Sequence, residues 1–130
     1  MSQTIQLYIV SIFQVVIALG LVNVWLVRFN KPTKYRGASA GSMQAEFLAY
    51  GLPVWFMYMV GAAKILIATA MIVGFWIPIL VYPASALLVL LMIGAIAMHS
   101  KVKDPIVRSV PAILMLLMAL SNVLLIGFSK

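Results

Sequence analysis

Four stretches of the chain are apolar over a membrane-crossing length, and the charged residues collect between them. The first runs from about Ile5 to Val27, with Gln6, Gln14 and Asn23 inside it. The second runs from about Val54 to Trp76, and Lys64 is its only charge. The third runs from about Ile79 to His99. The fourth runs from about Ile106 to Phe128, with Arg108 at its entry and Ser121 and Asn122 near its exit. The hydrocarbon core of a bilayer takes about 20 helical residues to cross, and each stretch is long enough. Backbone groups left unpaired in lipid cost several kcal/mol each, so the expected spans are helices. None of the four shows the period-two alternation of a barrel strand. The predicted fold is therefore all-α: a four-helix transmembrane bundle over residues 1–130, with a short interfacial helix between helices one and two.

The connections refine this picture. Trp76-Ile77-Pro78 is short enough to force a tight antiparallel hairpin between helices two and three. Asp104 followed by Pro105 suits the N-cap and first turn of helix four. The long first connection divides in two. Residues 30–41 are polar and glycine-rich, whereas SMQAEFLAYGLP predicts a helix over about 42–51. Ser42 would cap that helix, Glu46 would favour its positive end, and Gly51-Leu52-Pro53 would end it. Met43, Phe47, Leu48 and Tyr50 would let it lie at the headgroup boundary.

Composition agrees with a lipid solvent. Of 130 residues, 65% are hydrophobic and 8% charged, too little polar surface for a water-soluble globule. The net charge of +7 raises nucleic-acid binding as a function, but the positions of the charges exclude it. Arg28, Lys31, Lys34 and Arg36 form one cluster and Lys101, Lys103 and Arg108 another, both between spans. Such clusters mark cytoplasmic loops, so both termini are expected outside, and anionic lipid headgroups are the expected counter-charge. Trp25, Tyr50, Trp55 and Tyr58 would form the inner aromatic belt, and Trp76 and Tyr82 the outer one. The absence of cysteine excludes disulfides, thiol nucleophiles and iron–sulfur clusters. Met1 to Gln6 lack the basic residues of a signal peptide, so the first stretch is expected to stay as a helix.

Few residues could carry chemistry. Lys64 lies near the middle of its helix, where a charge costs at least about 2.5 kcal/mol. Gly61, Ala68 and Met71 share its face, which is small enough to point Lys64 into the bundle. It would there meet either an anionic or polar ligand group, or Gln14, Asn23, Asn122 or backbone carbonyls. Glu46 and Asp104 are the only acids, and each has a local role at a helix start; Glu46 could also reach a basic neighbour, or Lys64. His99, the only histidine, suits an interfacial hydrogen bond, proton transfer or a quinone headgroup. One histidine and two acids make a poor metal set, and no nucleotide loop or catalytic triad is present. The many methionines fit ordinary packing or an adaptable pocket. The tentative ligand-binding residues are thus Lys64, His99 and Glu46, with no catalytic residue, no metal and no resident cofactor beyond a quinone.

Several of these stretches resemble the DoxX-like family of small four-helix membrane proteins. They are YRG at Tyr35 to Gly37, EFLAYGLPVWFMYMVGAAK from Glu46 to Lys64, GAIAMHSKVKDP from Gly94 to Pro105 and SVPA from Ser109 to Ala112. The aromatic-GLP-x-W sequence leading into G-x-x-K is the most specific. The resemblance implies a compact bundle with an interfacial segment after helix one, and work near membrane redox systems. The leading expectation is a non-catalytic subunit of a redox-linked membrane assembly, with lipids and other membrane subunits or further copies as partners. The second is a bundle that binds a quinone or lipid near Lys64 and His99. The third, a quinone-coupled oxidoreductase component, has least to work with.

Overall fold

The computed structural model describes residues 2–128. The chain enters α1 (Gln3–Val22) through Ser2, whose hydroxyl accepts the backbone N–H of Ile5. Helix α1 continues through one π-helical turn, Asn23–Val27, closed by a bond from the Arg28 N–H to the Asn23 carbonyl. The long connection that follows holds a 3₁₀ turn at Gly37–Ser39 and then the short α2 (Met43–Ala49), where the sequence predicts a helix. Then follow α3 (Val54–Val73), α4 (Val81–Lys101) and α5 (Val110–Gly127), the last two each entered through a 3₁₀ turn. Among the described residues four helical segments are long and apolar enough to cross a membrane: Gln3–Val27, Val54–Val73, Pro78–Lys101 and Ile106–Gly127.

The four long helices close a ring. Helix α1 packs on α3 and α5, and α4 packs on α3 and α5. Up-and-down topology, with short turns after α3 and α4 and the longer α2-containing connection after α1, gives this arrangement its antiparallel neighbours. The buried side chains divide into two clusters. One fills the bundle and includes Ile17, Leu21, Ile67, Met71, Leu88, Met92 and Ala119. The other, at the end that carries the loops, is Trp25, Met43, Phe47 and Met57. Large apolar residues such as Leu7, Leu19, Leu66, Leu90 and Leu117 stay on the outside, as a lipid solvent allows.

Polar groups inside the bundle are used to finish helices and join them. Gln14 Nε2 donates to the Met71 carbonyl at 2.8 Å, one of the last carbonyls of α3 that has no partner within its own helix. Asn122 reaches Ser85 Oγ at 3.4 Å, linking α5 to α4. Thr69 and Ser121 turn their hydroxyls back onto carbonyls four residues earlier.

Two expectations about the loop end are corrected. Helix α2 joins helices one and two as expected, but its apolar face is turned to the protein and not to lipid. Met43, Phe47 and Tyr50 are buried, and only Leu48 of the four faces out, because Trp25 and Met57 offer that face a packed partner. Trp25 itself is not in an aromatic belt. The π turn rotates it inward, where it is 6% exposed and rests on Gly61: a Cβ at Gly61 would lie 2.7 Å from its ring. Trp55, Tyr58 and Trp76 do face outward.

Candidate functional site

Every stretch that carries the family resemblance meets at the loop end. Arg36 of the YRG stretch is buried, and its guanidinium donates to the carbonyls of Lys31, Arg28 and Phe29. It also pairs with Glu46 at 2.9 Å. Glu46 accepts a second bond from the Tyr50 hydroxyl at 2.7 Å. Gly37 is needed here, since a Cβ would lie 2.1 Å from that hydroxyl. Burial, and then the negative charge of Glu46, push the Tyr50 phenol well above its ordinary range, so it stays a donor. Gly51 takes φ +79°, open to glycine without strain, and Lys101 donates to the preceding Tyr50 carbonyl at 2.7 Å.

The HSKVKDP stretch completes this cap. His99 Nδ1 lies 2.8 Å from Asp104 Oδ2, and Arg108 lies 2.6 Å from Asp104 Oδ1. The same carboxylate accepts the backbone N–H of Ala38 at 3.0 and 3.2 Å, and Arg108 also donates to Ser39 Oγ. Ala38 and Ser39 both have positive φ, a conformation that costs a residue with a side chain about 1–3 kcal/mol and that Asp104 and Arg108 hold in place. Burial pushes the Asp104 carboxyl up, but hydrogen bonds from His99, Ala38 and Arg108 bring it below its ordinary value. Asp104 therefore does not cap helix four as its place before Pro105 suggests. The three donors outcompete its own helix start, and they tie the two basic connections to one end of the molecule.

Below this cap lies a cavity of about 830 Å³, within the roughly 300–1,000 Å³ range of small-molecule sites. It occupies the space between the two buried clusters, bordered by Leu21, Met92 and Ala112 of one and Trp25, Met43 and Phe47 of the other. Lys64, His99 and Glu46 all stand on its wall, so the structure brings the three sequence candidates together. Met98 and Met115 line it too, whereas Met57 and Met71 are sealed in the core and Met59 faces out.

The polar groups on the wall differ in what they have left to offer. Glu46 is engaged by Arg36 and Tyr50, so it makes no bond to Lys64. His99 commits Nδ1 to Asp104, packs edge-on to Tyr50, and among the described residues has no bond at Nε2. Lys64 meets none of Gln14, Asn23 or Asn122. Its ammonium lies 5.2 Å from the centre of the Trp25 ring. A cation over an aromatic face recovers about 2 kcal/mol or more when desolvated, comparable with the smallest cost, about 2.5 kcal/mol, of placing the charge in mid-membrane. The Trp25 indole N–H is itself sealed and without a partner among the described residues. Sequence reasoning missed Trp25, Arg36 and Tyr50 as site-forming residues; the YRG and AYGLP stretches were the signal for Arg36 and Tyr50, and nothing in the residue order singles out Trp25.

The fold and cavity define an integral, multi-pass membrane protein with a lipid-embedded four-helix bundle and a polar cap at one end. The chain matches the DoxX-like family over residues 12–121, and it belongs to that family. No curated protein and no solved structure matches it.

Proposed function

We propose that this protein binds an apolar small molecule with a polar head, a lipid or a quinone, in the cavity beneath the loop-end cap. The cavity itself carries this reading: it has ligand-sized volume, and Lys64, His99 and Glu46 line it together with apolar residues of α1, α4 and α5 and the basic residues Arg28, Lys34 and Arg108 of the loop end. The accessory-subunit expectation draws on the family resemblance, whereas the cavity is a feature of this chain, and it moves ligand binding ahead. In this reading Lys64 and the free Nε2 of His99 address the head, and Glu46 acts through Arg36 and Tyr50 by holding the roof closed.

The test is mass spectrometry of what copurifies with the detergent-extracted protein. One lipid or quinone species should be retained near one per chain after extensive washing. Gly94→Phe should displace it, because Gly94 borders the cavity with nothing within 4 Å of where its side chain would start. Wild-type protein that holds nothing, or a Gly94→Phe variant that holds the same species in the same amount, would remove the cavity from the function.

The same reading places the loop end in the cytoplasm. Arg28, Lys31, Lys34, Lys101 and Lys103 are all exposed there, and lysine and arginine in short connections favour the cytoplasmic side.

A further inference from the structure

We propose that the head of the cavity's ligand is a carboxylate, carried on a single long apolar chain, and that Lys64 is its counter-charge. This rests on the cavity being a ligand site and names the ligand class. The argument is one of charge. The whole chain has two acids. Glu46 lines the same cavity as Lys64, but Arg36 and Tyr50 already hold its two oxygens. Asp104 is held by His99, Arg108 and Ala38. Among the described residues no ion pair or hydrogen bond reaches the Lys64 ammonium, so no described acid neutralises it and the ligand supplies the anion.

Depth and charge select the kind of anion. Lys64 is ten residues into α3 from Val54, about 15 Å along a helix that rises about 1.5 Å per residue. That is near the middle of a hydrocarbon core about 30 Å thick. A phospholipid phosphate is anchored at the headgroup level, where Arg28, Lys34 and Arg108 line the mouth instead. A carboxylate carries one charge, matches one ammonium and is small enough to descend. Leu90 and Gly94 border the cavity and are exposed on the outer face of α4, which gives the attached chain a side exit into lipid.

Trp25, next to Lys64, is a built-in reporter. Full-length protein carrying Trp55→Phe and Trp76→Phe, in neutral phosphatidylcholine nanodiscs at pH 8, would be titrated with dibrominated stearic acid and separately with its methyl ester. The acid should quench Trp25 saturably, at a concentration at least tenfold lower than the ester. Lys64→Met should bring acid and ester together, and Lys64→Arg should keep them apart. Equal quenching by acid and ester in the Lys64 protein overturns the carboxylate assignment while leaving the cavity as a ligand site. No saturable quenching by either overturns the cavity reading as well. Should Lys64→Met fail to fold, the acid–ester comparison in the Lys64 and Lys64→Arg proteins decides alone.

Discussion

At Asp104 three donors converge on one carboxylate: the His99 imidazole, the Arg108 guanidinium and the Ala38 backbone N–H. Its side chain is 2% exposed, so the bonds are made largely out of water. Net of the exchange with water, hydrogen bonds to a charged group contribute about 1.5–3 kcal/mol each. Asp104→Asn keeps the shape and loses the charge, and is expected to destabilise the folded protein by about 2 kcal/mol, read as a lower thermal midpoint in detergent. The pH dependence follows from the depressed carboxyl. The folded state favours the ionised form, so the stabilisation is fully present above the ordinary value of 3.8 and lost as pH falls through the lower folded value. The gap in midpoint between wild type and Asp104→Asn should hold from pH 7 to pH 5 and narrow only below about pH 4. A gap that closes above pH 5 would count against this role for Asp104.

The π turn at Asn23–Val27 is the element that builds the cavity wall. One additional residue in the turn changes the direction of everything after it, and such turns recur where a helix must present a particular side chain. Here it presents Trp25 to α3, and Gly61 is the complementary surface. The indole is rigid and the contact would be with ring carbons, so a side chain at Gly61 forces the ring or the helix to move. Gly61→Val should cost about 1–3 kcal/mol by overpacking. With Trp25 as the sole tryptophan, its emission should shift to longer wavelength as the ring leaves its buried seat. An unshifted spectrum and unchanged stability would mean that Gly61 does not seat Trp25. Helix α2 depends on the same surface: Ser42 caps it through Ala45 N–H at 3.2 Å, but seven residues are too few to stand as a helix without tertiary packing.

For the molecule as a whole, the two basic connections are joined by Asp104 and Arg108 to Ala38 and Ser39, so they must lie on one side of any membrane the bundle crosses. The chain has no cysteine, which leaves a clean background for labelling. In inverted-versus-intact vesicle experiments, Lys34→Cys and Lys103→Cys should react with an impermeant maleimide only when the cytoplasmic face is accessible. Ile77→Cys, at the opposite end, should show the reverse pattern. Labelling of Lys34→Cys and Lys103→Cys from opposite faces would contradict the cap itself.

The number of spans, the turn between α3 and α4, the Ser42 cap and the inward-facing Lys64 were all set by residue order. Each depends on local features: length of an apolar run, a capping hydroxyl, or small residues at helical spacing. The polar cap was not legible in that way, because Arg36, Glu46, Tyr50, His99 and Asp104 come from three separate stretches and each has an adequate local explanation. Only packing decides that Asp104 turns to Ala38 instead of its own helix, or that a π turn carries Trp25 away from the lipid. The same holds for the cavity. It exists because two buried clusters close without merging, and the shape of the space between packed helices depends on all of them at once.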